Sequence, residues 1–162
     1  MAIHKIDGVD AVDGGSVINS FPKKHVTLQC SLAAAASIAK GDWVQIDEGF
    51  TTHGIGSGCK TSTADGVDMV FGVATETVTN NTSVTATFLI KVQTAGKCTF
   101  AKVDVSEVDL TNRSLSGHSA TGNGIADHYT ATDLNTICGV VLLEGADDTA
   151  VSTVMIIDQG YF

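Results

Sequence analysis

Two stretches of this chain align without a gap at a constant offset of 67 residues, Gly72-Val73-Ala74-Thr75-Glu76 through Phe88-Leu89-Ile90 and Gly139-Val140-Val141-Leu142-Leu143 through Met155-Ile156-Ile157. Gly72 meets Gly139, Thr82 meets Thr149, Val84 meets Val151 and Ile90 meets Ile157. Each copy reads as a β-hairpin. Its turn is Asn80-Asn81 in the first copy and Asp147-Asp148 in the second, residues whose short polar side chains bond their own backbone. In the second arm Val84, Ala86, Phe88 and Ile90 point one way while Thr85, Thr87 and Lys91 point the other, the two-residue period of a half-buried strand. Val151, Thr153, Met155 and Ile157 hold the same phase. Two copies fall short of a solenoid, so the expected fold is a closed or sandwich-like β domain built from related hairpins.

Composition agrees. Twenty threonines, 17 glycines and a single proline, with aromatics at only 6%, suit pleated strands joined by glycine turns. No long stretch carries helical periodicity, and 162 residues fit one core plus an arm or an insertion. The net charge of −9 argues against a nucleic-acid partner, which would call for clustered Lys and Arg. That charge is uneven. Residues 1–40 hold four lysines against Asp7, Asp10 and Asp13, so an acidic body follows a more neutral front end. No apolar run reaches the length of a membrane span, and no secretory leader is expected. The widely spaced Cys30, Cys59, Cys98 and Cys138 lack the close pairs of zinc or thiol redox sites and are expected to be reduced and partly buried.

The expected fold class is all-β: a small β-barrel or sandwich over residues 25–162, an extended N-terminal arm over 1–24, and a long polar insertion at 110–136. In the arm, Ile3, Ile6, Val9 and Val12 recur every three residues, offset from Asp7, Asp10 and Asp13, a period that fits neither a strand nor a sustained helix. Such a segment either gains order by lying along a partner or is a disordered tail. The body is expected to start at His25. The alanine run at 32–39 favours helix but is too short to stand as one unaided, and it leads into a turn and a strand whose Val44 and Ile46 share a face. Residues 50–68 read as a loop. Strand residues 91–95 continue the first hairpin, 97–105 offer a further strand with Ala101, Val103 and Val105 on one face, and 137–143 read as a strand buried on both faces. Loops as long as the insertion are usually functional or mobile.

Candidate chemistry fails on spacing. In Gly54-Ile55-Gly56-Ser57-Gly58-Cys59-Lys60-Thr61, Cys59 intervenes before the lysine and no helix follows to aim amides at a phosphate. His118-Ser119 lacks the setting of a nucleophile elbow. His4, His25, His53, His118 and His128 have no metal-ligand spacing, and Asp47-Glu48, Asp147-Asp148 and the arm aspartates lack a calcium ladder, so solvated turns are expected instead. No cofactor, metal or catalytic residue is expected.

At Lys40-Gly41-Asp42-Trp43-Val44, Phe71-Gly72-Val73-Ala74, Ala95-Gly96-Lys97 and Cys138-Gly139-Val140-Val141, in that order, the chain resembles the small β-barrel head decoration (cement) proteins of tailed bacteriophages, over roughly Val26 to Asp158. Its departures from them are the arm and the insertion. The resemblance implies a non-enzymatic homotrimer, made in the host cytoplasm and seated on the exterior of the virion. There it would bind the major capsid protein and stabilise the expanded head, with no nucleic acid or membrane as partner. The arm residues Ile3, Ile6, Val9, Val12, Ile18 and Phe21 are then the expected capsid contacts, with strand addition as one mode of binding, and several arms on one trimer would add their affinities. The alternative is a receptor- or glycan-binding β module of a head fibre or tail, its loop at 110–136 offering Asn123, Asp127, His128 and Tyr129. A hydrolase whose triad forms only in three dimensions is the third possibility.

Overall fold

The computed structural model describes residues 22–50, 58–63, 70–104, 114–116, 123–127, 137–143 and 151–158, and among them there is no helix. The described residues form ten strands: β1 (Lys24–Leu32), β2 (Ser37–Ile38), β3 (Trp43–Ile46), β4 (Cys59–Thr61), β5 (Val70–Ala74), β6 (Val78–Thr79), β7 (Ala86–Lys102), β8 (Ser114–Leu115), β9 (Gly139–Leu143) and β10 (Val151–Ile156). The fold is all-β, a curled antiparallel sheet in the order β4-β3-β5-β7-β10-β9-β8, with β1 also on β7 and a separate β2-β6 pair.

The 17-residue β7 is the axis of the molecule. Its first half pairs with β1 (Leu32↔Ala86 through Lys24↔Ala95) and its second half with β10 (Ile156↔Gly96 through Val151↔Lys102). On its other flank it meets β5 at Val73↔Gln93 and Ala74↔Val92. The parallel bridge Gln29↔Gly58 then carries β1 round to β4, so β1, β4, β3, β5 and the first half of β7 enclose one core. That core holds Leu28, Cys30, Ile38, Val44, Cys59, Phe71, Ile90 and Val92. A second core, with Trp43, Val73, Cys98, Ala101, Val103, Leu115, Ala126, Cys138, Val141 and Val154, lies under β10, β9 and the second half of β7. Strand β3 is the shared wall: Trp43 enters the second core while Val44 and Ile46 face the first. Trp43 is fully buried, and its indole N–H still finds the Lys102 carbonyl at 2.9 Å, as a buried tryptophan requires.

The doubled pattern does not produce doubled pairings. The second copy is a hairpin, with Val140↔Met155 and Gly139↔Ile156. By the same offset Val73 would face Phe88, but it faces Gln93, and Phe88 pairs with Cys30 of β1 instead. What the copies share is close backbone packing at their glycines. A Cβ on Gly72 would sit 2.5 Å from the Gln93 carbonyl oxygen, and one on Gly139 would sit 3.0 Å from both the Met155 carbonyl oxygen and the Trp43 ring.

Several local expectations are corrected. The alanine run, expected to be too short for a helix, is a turn followed by β2, with Ala35 at φ 60°. The glycine-rich stretch 50–68 contains β4, because Cys59 is a core residue and Val44, Gln45 and Ile46 supply its partners. Residues 91–95 and 97–102 belong to one strand, carried through Gly96 at φ 85°. Ala101 and Val103 are both buried, and Val105 lies outside the described residues. The described parts of the insertion serve the core: β8 pairs with β9, Leu115 and Ala126 are fully buried, and Gly124 accepts a hydrogen bond from the Trp43 amide. In β9 only the first part is buried, and Leu143 is 69% exposed. The turn expected at Asp147-Asp148 lies outside the described residues.

Candidate functional site

The expected contact residues Ile3, Ile6, Val9, Val12, Ile18 and Phe21 all lie outside the described residues. The structure does describe the place where that segment joins the body. Along one flank of β7, β10 runs from Lys102 to Gly96 and β1 takes over from Ala95 in the same direction. At this hand-over the two strands leave a groove of about 600 Å³, floored by Ala95 and Gly96 and walled by residues 22–24 on one side and 155–158 on the other. Its size is that of a small-ligand pocket. Pro22, Met155, Ile156 and Ile157 make it apolar, and its charged lining residues are Lys23, Lys24 and Asp158.

The sequence builds this groove through Gly96 and Gln93. The positive φ of Gly96 lets β7 change flanking partners without ending. The buried Gln93 amide then donates to the carbonyls of Ala95 (3.0 Å), Gly96 (3.3 Å) and Lys97 (3.1 Å), satisfying the groups that the change of partner leaves open. Lys24 Nζ and Asp158 Oδ2 close the hand-over at 3.3 Å. Both are substantially exposed, so this pair orients the strand ends more than it stabilises them. Next along β1, the His25 pKa is lowered, by partial burial first and then by the charges of Lys91 and Lys23.

The other candidates are placed as follows. Gly58 packs against the Phe50 ring and Lys60 lies in β4, so the described end of the glycine-lysine stretch is sheet. Asp47 is a turn: its Oδ1 accepts from the Gly49 amide at 3.1 Å and its carbonyl from Phe50. Of the five histidines only His25 is described; Ser119, Tyr129 and the remaining histidines lie outside. Asn123 and Asp127 flank the buried Ala126, whose amide and whose carbonyl both bond to the strand end at 102–104. No group of three or more His, Cys, Asp or Glu is placed to hold a metal among the described residues.

All four cysteines are free and buried. Burial raises each thiol, Cys59 to about 12 with added contributions from Cys30 and Asp47, so none is poised as a nucleophile. The motif Lys40-Gly41-Asp42-Trp43-Val44 is structural. Asp42 accepts from the Ala39 amide at 2.8 Å and pairs with Lys102 at 2.5 Å, while its backbone ties to Ala74 and Gly41 ties to both Ala74 and Lys102.

Sequence reasoning missed the groove because residues 22–24, 95–96 and 155–158 are brought together only by pairing with β7. Gly96 in mid-strand was the one local sign of it. No family model, curated protein or solved structure matches the chain.

Proposed function

We propose that this chain is a decoration (cement) protein: a rigid β body that binds the exterior of a phage head through its N-terminal arm and holds neighbouring capsid subunits of the expanded shell together. The observation that carries this is the position of the arm's root. Residues 22–24 enter the sheet beside an open apolar groove, and β1, the strand that follows the arm, is paired along its whole length with the axis of the fold. An arm anchored in this way transmits a partner's pull through β1 to the first core and through β7 to the second. The resemblance in the glycine motifs and the acidic charge of the body support the same function.

The test uses the full chain mixed with purified expanded heads and scored by sedimentation and electron microscopy. Wild-type protein is expected to decorate the heads at regular surface positions. An Ile6→Asp, Val9→Asp double variant, folded by circular dichroism, is expected to lose most occupancy. Absence of wild-type decoration overturns the function; undiminished decoration by the folded variant overturns the role of the arm.

A further inference from the structure

We infer that the groove between the start of β1 and the end of β10 is a docking site for an acidic segment of another protein, one that presents a large apolar side chain between carboxylates. The inference concerns the body alone and does not rest on capsid binding.

The groove supplies the apolar half of that recognition. Ala95 and Gly96 form its floor, and Met155 and Ile157 stand in one wall. Val154 and Ile156 turn into the second core, so Met155 between them projects from the opposite face of β10, where it is only partly covered. Ile157 is 39% exposed. A Phe or Leu side chain of a partner fits within the groove's 600 Å³ and takes this apolar surface out of water.

Charge selects the partner. Lys24 and Asp158 satisfy each other at 3.3 Å, so that pair recruits nothing. Lys23 lies in the wall opposite Met155 and is exposed. Lys97 faces Met155 across the β10–β7 pair, and directly opposed residues project from the same face of a sheet, so it stands beside the groove. Neither Lys23 nor Lys97 makes an ion pair among the described residues. One unpaired cation therefore flanks the apolar floor at each wall. The same sign continues past Lys23, where Lys23 and Lys91 both act on His25. The carboxylate nearest Lys91 is that of Glu76, which accepts from the Lys91 amide at 3.0 Å. In a chain of net charge −9, this local surplus of positive charge is where an acidic segment is drawn while the rest of the surface repels it.

The placing of the two lysines also selects shape. A small amphiphile brings one head group and meets one lysine. An extended segment with carboxylates on both sides of its anchor meets both, and an apolar centre rimmed by charge is the anatomy of a protein contact. Because the lysines are surface groups, the contact is weak and sensitive to salt, as befits a transient partner.

The experiment titrates the full chain, isotopically labelled, with the end-blocked peptide Asp-Glu-Leu-Phe-Leu-Glu-Asp and follows the amide NMR signals. Saturable shifts are expected at residues 95–97 and 155–158, with affinity falling by roughly threefold to tenfold from low to physiological salt. Replacing Leu-Phe-Leu by three alanines is expected to weaken binding by about tenfold or more. A peptide with lysine for every acid is expected to leave the groove signals unmoved. The Lys23→Glu, Lys97→Glu variant is expected to bind the acidic peptide about tenfold more weakly and to gain affinity for the basic one. His25 is expected to titrate at a higher pH with the acidic peptide bound, because its carboxylates offset Lys23 and Lys91. No saturable shift at the groove, equal binding of the basic peptide, or undiminished affinity in the folded double variant overturns the inference. Octanoate moving the same signals at lower concentration than the peptide would make this a site for small amphiphilic anions. Groove shifts on concentrating the chain alone would make a second copy the occupant, and either result overturns the inference. Phage heads enter none of these readings, so failure of capsid decoration leaves them unchanged.

Discussion

Replacing Asn80 with alanine removes a side chain that ties three parts of the fold together. Asn80 is fully buried. Its Nδ2 donates to the carbonyls of Leu32 (2.8 Å), Ala33 (3.0 Å) and Val84 (2.8 Å), and its Oδ1 accepts from the amide and hydroxyl of Thr82 at 2.9 and 2.7 Å. Its backbone also pairs with Ala35 and Ala36. The end of β1, the alanine turn and the approach to β7 are thus held by one residue. In Asn80→Ala the Leu32 carbonyl loses its partner in a buried setting, at a cost of about 1–3 kcal/mol. The bonds at Ala33, Val84 and Thr82 are nearer to solvent, and water replaces part of their value, leaving about 0.5–1 kcal/mol each. The expected destabilisation is about 3–5 kcal/mol, a large share of a typical domain's total. Urea unfolding followed by the fluorescence of Trp43, the single tryptophan and fully buried, reads this directly. With a slope of about 2 kcal/mol per molar, the midpoint should fall by about 2 M. Asn80→Asp separates the two halves of the side chain. It keeps the acceptor for Thr82 but turns a carboxylate toward three carbonyls, so it should be at least as damaging at pH 7. Burial raises a carboxyl pKa, so Asn80→Asp should regain stability as the pH falls through that raised value. A loss under about 1 kcal/mol in Asn80→Ala would refute the reasoning, because a buried carbonyl cannot be stranded so cheaply.

Gly72→Ala should cost more stability than Gly139→Ala, about 2–3 against about 1 kcal/mol, because the Gly72 clash is with backbone at 2.5 Å while Gly139 meets its neighbours at 3.0 Å; thermal unfolding of the two variants checks the order. Native protein at pH 8 should show no thiol reactive toward a disulfide reagent and four after denaturation. The folded Cys59 pKa of about 12 lies above the ordinary 9.0, so the thiol's stabilising contribution is complete below pH 9 and fades between 9 and 12, and alkaline unfolding should start in that window. His25 should titrate below its ordinary 6.5 by NMR, and Lys91→Ala and Lys23→Ala should each raise it. Because the folded value is the lower one, stability linked to His25 is full above 6.5 and lost as the pH falls through the native pKa.

The β class was legible because alternation over Ala86 to Ile90 and the turn chemistry at Asp47 and Asn80 are local signals. Asn80 does bond the backbone of its own turn, at the Thr82 amide, but its larger task is set by β1, some fifty residues earlier. Pairing register was not legible. Phe88 pairs with Cys30 of β1 on one flank of β7, while Val73 of β5 on the other flank pairs with Gln93, a register that the repeat itself does not encode. Short core plugs such as Ser114–Leu115 and Ala126 carry no periodicity, so polar surroundings hid them. Helix propensity in the alanine run yielded to a turn and two strand pairs with β6. The groove was illegible for the same reason as the register, since each of its walls is meaningless until β7 aligns them.

The collinear arrangement of β10 and β1 has a mechanical side. Interstrand hydrogen bonds in an antiparallel pair lie across the strands. A tension applied at Pro22 along the strand axis therefore loads the pairing of Lys24–Leu32 with β7 in shear, where the bonds must fail together, and not by peeling, where they fail one by one. A force that arrives at Pro22 along the axis of β1 therefore meets the sheet in its tougher direction.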